Sequence, residues 1–476
     1  MIRSPRYFLH SYGCQMNKLD SELVESRLVQ AGYARAASEN EADVVLLNTC
    51  AVRQHAEDRV WSRLGVLRIR KRKEPHLVVG VLGCMAEEHK QYLQARMPHV
   101  DLVVGPSAFG DVDAKVEAAR QRNEKLRPVV DAHGRARLQP AAGLLAVGEG
   151  VSGDTIERDV KLRPRRAQAY VSIMRGCNMP CTYCIVPSTR GAEVSRPVAQ
   201  IVEEATRLCG DGVTEICLLG QTVNAYGRDL SPRATLSELL RRLHDIPSLR
   251  RLAFITSHPN FLTADLCATL GELPKVARYL HLPAQSGSTA VLKTMQRGYT
   301  RERYLERVEH LRARAPHIEL HSDFIVGYPG ETEADFAATV SLMREVRFAQ
   351  SYVFKYSPRP GTVAAGLADD VPDDVKQARN QALLALQAEH SLAANRALEG
   401  SVQEVLVEGE GDPGCLSGRT AHHRIVHFAA TDPGLVGCYV PVRIARGNAH
   451  SLIGELLAQD SHEGEERAHA LTAPRR

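Results

Sequence analysis

The stretch RGCNMPCTYCIVPSTRG sets three thiols, Cys177, Cys181 and Cys184, inside eight residues with no histidine beside them. A C-x3-C-x2-C spacing lets one tight loop aim all three at a single point. Structural zinc takes four ligands, commonly as CxxC pairs or with histidines, and here the fourth is missing. A 4Fe-4S cluster held by only three cysteines keeps one iron free for a ligand. A zinc knuckle or a set of inert thiols is the competing reading.

The run AYVSIMRGC that leads into this loop reads as a buried strand. It opens a region, Ala167 to about Thr362, in which strands and helices alternate six times. The further strands are EICLLGQ, RLAFIT, YLHLPAQ, ELHSDFIVGYP and SYVFKYSP, with helical patterns such as TLSELLRRLHDI between them. Six units are too few for a full eight-stranded barrel, so a partial, open barrel is expected. The cysteine loop would then stand at its carboxyl face, where barrel active sites belong.

The first 120 or so residues also alternate, with YFLHSYGC, DVVLLNTC, LVVGVLGC and DLVVG as buried parallel strands. The helix DSELVESRLVQAGY between the first two offers Leu23, Val24, Leu28 and Val29 on one face and stops near Gly32. Cys14, Cys50 and Cys84 fall at the ends of the first three strands. In a parallel sheet those ends lie on one edge, so three cysteines far apart in sequence converge. Buried Cys as a plain small hydrophobe is the alternative.

A chain of 476 residues exceeds what one core serves. The expected division is an α/β open sheet at 1–121, a linker at 122–162 with room for one short strand, a partial (β/α)6 barrel at 163–396, a small all-β, OB-like barrel at 397–459, and a disordered tail at 460–476. The small barrel follows the helical pattern 373–400, and four of its five strands can be placed: SVQEVLVEG, RIVHF, CYVPVRIARG and SLIGELL. Cys209, Cys217, Cys267, Cys415 and Cys438 read as buried hydrophobes. The basic runs Arg68 to Lys73 and Lys161 to Arg166 are either solvated faces or polyanion-binding patches, and the net charge of +4 does not choose between them. Eleven cysteines in a large chain with no signal-like apolar start and no apolar run of membrane length point to metal or catalysis and to a cytoplasmic protein, not to disulfides or a membrane.

With Tyr183 before its last cysteine, the central loop resembles the radical S-adenosylmethionine superfamily. GCQMN, NTC and GC at Cys14, Cys50 and Cys84 are similar to the N-terminal domain of its methylthiotransferases, and the last barrel resembles their TRAM domain, an RNA-binding module. The motifs LLGQTVNAYG, SHPNFL, LHLPAQSGS, RGYTRERY, IVGYPGET and KYSPRPGT resemble the branch acting on N(6)-dimethylallyladenosine of tRNA. The resemblance covers nearly the whole chain.

It implies two 4Fe-4S clusters, one on Cys177, Cys181 and Cys184 with S-adenosylmethionine on its open iron, the other on Cys14, Cys50 and Cys84. It implies a 5′-deoxyadenosyl radical that takes hydrogen from carbon 2 of the adenine, which then captures a methylthio group. Such an unactivated C–H offers no acidic proton to a base, and radical chemistry belongs to cofactors. No side chain is therefore expected to act as acid or base. Gly220, Gln221, Ser257, Gln285, Asp323 and Tyr183 are the expected cofactor contacts, while His258 and His281 are either contacts or hydrogen-bonded core histidines. The partners implied are the tRNA anticodon stem-loop, an electron donor such as flavodoxin and a sulfur donor, with the chain a monomer. The chain departs from the family pattern at Ser188, where an aromatic is usual, and in the linker. Competing functions are methylthiolation of threonylcarbamoyl-adenosine or of a ribosomal-protein aspartate, and a non-catalytic RNA-binding iron-sulfur redox sensor.

Overall fold

The computed structural model describes residues 4–51, 54–125 and 167–457, together with three short strands between the last two spans. Most of the expected linker, the run Lys161 to Arg166 and the expected tail lie outside the described residues.

Strands β1 (Arg6–Tyr12), β2 (Ala34–Arg35), β3 (Val44–Thr49), β4 (Val78–Gly83) and β5 (Leu102–Val104) form one sheet. After the short pair β6 (Val129–Val130) and β7 (Ala136–Arg137), β8 (Leu144–Ala146) joins its far edge. The order is β2-β1-β3-β4-β5-β8, with every pairing parallel. β3 and β4 are buried at all six positions because helices cover both faces. Val44, Leu46, Val78 and Leu82 pack towards α1 (Gln15–Gln30) and α5 (Val112–Lys125). Val45, Leu47, Val79 and Val81 pack towards α2 (Gln54–Lys73), α3 (Cys84–Glu88) and α4 (Lys90–Arg96). Strand alternation thus divides one apolar run between two cores.

The basic run of α2 is not a uniform solvated face. Lys71 is 2% exposed and ion-paired with the fully buried Asp101, which also accepts from Arg122 at 2.7 Å. Arg70 bonds Glu74 and the carbonyls of Glu39 and Ala42. Of the basic residues in that run, Arg68, Arg72 and Lys73 face solvent. A Lys whose stem lies along the inward stripe of an amphipathic helix, with an acid beneath it, looks like any other surface lysine in sequence.

The central region runs β9 (Gln168–Ser172), the short pair β10 (Met174–Arg175) and β11 (Val194–Ser195) enclosing α6 (Val186–Arg190), then α7 (Val198–Gly210), β12 (Glu215–Leu219), α8 (Leu236–His244), β13 (Arg251–Phe254) and α9 (Ala264–Glu272). It continues with β14 (Tyr279–His281), α10 (Thr289–Thr294), α11 (Arg301–Arg314), β15 (Glu319–Val326), α12 (Glu333–Val346) and β16 (Gln350–Lys355). The ladders β13-β12-β9 and β14-β15-β16 are parallel throughout. Backbone bonds join them, from Ala277 N to Leu252 O at 2.8 Å and from Ser257 N to His281 O at 3.2 Å. β9 and β16 remain unpaired at their outer edges among the described residues, so this is the expected open barrel. Each helix from α8 to α12 starts at a Thr or Ser whose side chain accepts the backbone N–H three residues on, Thr235, Thr263, Ser288, Thr300 and Thr332 in turn.

Helix α1 belongs to two cores. Val24, Leu28 and Val29 sit on its own sheet. Met16, Leu19 and Leu23 enter the mouth of the open barrel against Cys217, Leu219, Ala253, Ala277 and Tyr279. The single apolar face expected from Leu23 to Val29 is therefore split, and the helix is buried on both sides.

Helix α13 (Asp373–Arg396) leads to the last barrel, closed in the order β17-β18-β19-β21-β20 from β17 (Val402–Glu410), β18 (Cys415–Arg419), β19 (Ile425–Ala429), β20 (Tyr439–Gly447) and β21 (Leu452–Leu456). β18 is the strand missing from the sequence reading. Its CLSGR offers one large apolar residue, Leu416, too little to stand out from a turn. Two of the supposed buried cysteines also lie at this barrel's surface, Cys415 half-buried and Cys438 exposed, whereas Cys209, Cys217 and Cys267 are buried. The β18–β19 turn docks under the central barrel, where Arg424 pairs with Glu319 at 2.6 Å and the His423 ring lies 4.9 Å from that of Tyr279. No described helix is long and apolar enough to cross a membrane.

Candidate functional site

Cys14, Cys50 and Cys84 follow β1, β3 and β4, three adjacent strands of one sheet. Two glycines make their approach possible. Gly13 has φ +140°, and a Cβ there would stand 2.6 Å from the Cys50 Cβ; Gly83 has φ +90°, and a Cβ there would meet Asn48 Oδ1 at 2.4 Å. Asn17 and Asn48 then tie the loops. The Asn17 carboxamide oxygen accepts from the Cys14 N–H at 3.3 Å, and Asn48 Nδ2 donates to the Asn17 carbonyl at 2.9 Å and to Ser21 Oγ at 3.0 Å. The Cys50 thiol hydrogen-bonds Cys14 and draws its pKa down to about 6. Burial raises that of Cys84, against the opposing pull of Arg190.

Cys177, Cys181 and Cys184 occupy one loop between β10 and α6. Cys177 Sγ lies 3.4 Å from Thr222 Oγ1 and accepts from the Met179 N–H at 3.5 Å. The loop is pinned through Thr182, whose hydroxyl donates to the Thr294 carbonyl at 3.1 Å and meets Tyr328 OH at 2.8 Å. Burial pushes the Cys184 thiol up to about 12 and raises that of Cys177. Thiols held neutral by burial become ligands once a cation replaces the proton.

One buried arginine stands against each triad. Arg297 Nη1 donates to Cys181 Sγ at 3.1 Å, and Arg190 Nε donates to Cys84 Sγ at 3.2 Å while its Nη2 pairs with Asp20 at 2.8 Å. Arg190 belongs to α6, in the central region, yet serves the N-terminal triad. Ile185, the residue after Cys184, packs directly on Cys84 and Ala51. Side-chain packing at Ile185 thus makes the two triads neighbours.

Of the remaining expected contacts, Gln221, Ser257 and Gln285 follow the carboxyl ends of β12, β13 and β14, whereas Asp323 stands inside β15 and Tyr183 in the cysteine loop. Gln221 Oε1 and Ser257 Oγ, after β12 and β13, are buried and bonded to nothing in the protein. Gln285 is held at φ +68° with its N–H on the Asp323 carbonyl at 2.9 Å. Asp323 faces His281 Nε2 at 3.2 Å. Gly220 has a packing reason to be glycine: a Cβ would lie 2.6 Å from Met174 Cγ. Tyr183 is half-buried against the Tyr328 and Tyr356 cluster, and burial raises its pKa. His258 is buried, its Nδ1 accepting from the Asn260 N–H at 3.2 Å while its Nε2 is matched by no protein group, and its pKa is held down to about 3 by burial and by Arg297. Ser188 is exposed on α6.

The sequence reading missed Asn17, Asn48, Asp20, Arg190, Arg297 and Thr222. The signal was nonetheless present, since five of the six stand inside or next to GCQMN, NTC, STRG, QRG and GQT. Asp20 had none: a lone acid on a helix reads as solvated until its partner is seen.

Residues 171–343 match the Radical SAM superfamily, 6–105 match Uncharacterized protein family UPF0004, and 396–457 match the TRAM domain. A tRNA-2-methylthio-N(6)-dimethylallyladenosine synthase of Geotalea uraniireducens is 43% identical over 96% of this chain and 100% of its own length. The chain belongs to this synthase family. A relative of the same name from Opitutus terrae is 42% identical over 95% of this chain and 97% of its own. Among solved structures, the radical S-adenosylmethionine methyltransferase TsrM of Kitasatospora setae superposes with a TM-score of 0.51 at 14% identity, covering 76% of this chain and 74% of that one. That likeness concerns the fold alone. Membership carries the cofactors read from the sequence, S-adenosylmethionine and two 4Fe-4S clusters.

Proposed function

We infer that this chain is the transferase that places a methylthio group on carbon 2 of N(6)-dimethylallyladenosine beside the anticodon of tRNA. The observation that supports the reading is the packing of Ile185, next to Cys184, on Cys84 and Ala51, which makes neighbours of two three-cysteine sets. Sets of three thiols suit clusters with an open iron, and zinc would want a fourth ligand.

On this reading Cys177, Cys181 and Cys184 hold the cluster that binds S-adenosylmethionine, and Cys14, Cys50 and Cys84 hold the auxiliary one. When bound, these groups supply one-electron chemistry that removes hydrogen from an unactivated carbon and a sulfur to put in its place. The protein's part is placement. Arg190 and Arg297 set a positive charge against one sulfur of each triad. Gln221 Oε1 and Ser257 Oγ, buried and unmatched by protein, fit the polar groups of the cofactor, because orphaned buried acceptors and hydroxyls are rare unless a ligand or water satisfies them. Gly220, Gln285, Asp323 and Tyr183 complete its surroundings. α1 packs Met16, Leu19 and Leu23 on the inner face of β12 to β14. The base must leave its stack to enter, which an anticodon loop permits. The proposed division places these parts in 1–121, 163–396 and 397–459, with the end of α5 and β8 extending the first unit into the segment 122–162. The chain then works as a cytoplasmic monomer fed by an electron donor such as flavodoxin and by a separate sulfur donor.

Anaerobic protein should carry about eight irons per chain and form 5′-deoxyadenosine with dithionite. Cys177→Ala should abolish that product, and Cys50→Ala should keep it but stop methylthiolation of a dimethylallyl-adenosine stem-loop. Full methylthiolation in both variants would overturn the assignment. Nucleosides from a deletion strain that lack the methylthio group on threonylcarbamoyl-adenosine alone would move the substrate.

A further inference from the structure

β16 ends the open barrel, and its side chains divide between two faces. Val353 packs into the helix-side core, and Asn380 donates to its carbonyl at 3.0 Å. Tyr352 and Phe354, one position to either side, therefore point inward. In register they stand beside Asp323 and Ile325 of β15, and Asp323 meets His281 of β14. The two rings share the inner face with groups expected at the cofactor.

They are also uncovered. Inward residues on β12 to β14, such as Cys217, Ala253 and Tyr279, are buried under Met16, Leu19 and Leu23 of α1. The α1 plug stops short of β16, where Tyr352 is 49% and Phe354 40% exposed. Their rings lie 6.5 Å apart at 26°, close to parallel, and Gln350 Nε2 donates to Tyr352 OH at 3.2 Å. Two flat apolar faces held open on the lumen side of a barrel invite an occupant.

We propose that Tyr352 and Phe354 form the wall on which the substrate adenine stacks, with its apolar N6 substituent lying along Phe354. This rests on the function proposed above and names how the same site recognises its base. Bases splayed from single-stranded RNA are characteristically read by stacking on aromatic rings. Stacking uses the ring face and spares the base edges, so carbon 2 stays free to point into the chamber. A purine with an apolar branch matches two adjacent rings better than a polar N6 chain does.

The test uses the full chain and an anticodon stem-loop with 2-aminopurine at the target position. Wild type should quench its fluorescence. Tyr352→Ala and Phe354→Ala should lose the quench and bind about tenfold more weakly, whereas Tyr352→Phe should retain both. Tyr352→Leu and Phe354→Leu keep apolar volume at half-exposed positions and should quench little, which separates ring stacking from loss of fold. With the dimethylallyl stem-loop, the alanine variants should raise KM more than they lower kcat. Unchanged quench and affinity in the alanine and leucine variants, alongside a wild type that methylthiolates the stem-loop, overturn the stacking wall. A wild type that quenches but never methylthiolates sinks the proposed reaction and spares the wall.

Discussion

The two cysteine triads reach the same chamber by opposite routes. Cys177, Cys181 and Cys184 are local: one loop carries them, and its shape is fixed within a few residues by bonds such as Cys184 N–H to the Cys181 carbonyl at 3.1 Å. Cys14, Cys50 and Cys84 are global, brought together by the register of β1, β3 and β4. A local site depends on its loop; a global one depends on everything that holds three strand ends level. The N-terminal triad should therefore be the more fragile to changes that touch no cysteine.

Asn48→Ala tests this most severely. It removes the bonds to the Asn17 carbonyl and Ser21 Oγ that tie the Cys14 and Cys50 loops, and leaves those buried partners unmatched. Iron should fall from about eight to about four per chain, with 5′-deoxyadenosine still formed and methylthiolation lost. Eight irons in this variant would mean that the sheet alone sets the triad.

Next comes the seating of one region on the other. Arg359, in the segment after β16, donates to Glu57 of α2 at 3.0 Å, and both side chains are buried. Truncation strands the glutamate in the interior, so Arg359→Ala should cost about 3–5 kcal/mol by chemical denaturation and loosen the N-terminal domain from the barrel. If the triads are as unequal as proposed, sulfur insertion should suffer before cofactor cleavage does.

Thr182→Val is the matching change at the local triad. It deletes the bonds to the Thr294 carbonyl and Tyr328 OH yet keeps the shape of the side chain. The expected cost is about 1 kcal/mol, with the full iron content retained. Loss of the cluster in this variant would erase the distinction between the two sites.

The same contrast explains what was legible in the sequence. Cys14, Cys50 and Cys84 could be placed because each ends an apolar run, and strand period plus parallel topology carries three such ends to one edge. What stayed hidden were pairings between distant elements. Asp20 with Arg190, Lys71 with Asp101 and the second face of α1 all depend on which elements become neighbours, and local patterning holds no record of that. β18 was lost for another reason: Cys415–Arg419 turns only Leu416 and Gly418 inward, and the closed barrel supplies the apolar partners that its own sequence lacks.

The smallest effect concerns pH at the joint between the two regions. His89 Nε2 lies 3.5 Å from Glu57 Oε2, and that interaction, with the charge of Glu88, raises its pKa above the usual value in spite of partial burial. A histidine whose folded pKa exceeds its unfolded one binds its proton more tightly in the native state. Its contribution is thus fully present below about pH 6.5, the unfolded value, and is lost as pH rises through the higher folded value. Arg359 competes for the same carboxylate, so the change should stay below about 1 kcal/mol. Denaturation midpoints of wild type and His89→Gln, compared from pH 5.5 to 8.5, should converge on the alkaline side and separate on the acid side, with wild type the more stable there. Parallel curves would show that Glu57 spends its charge on Arg359 alone, and the joint would then be indifferent to pH.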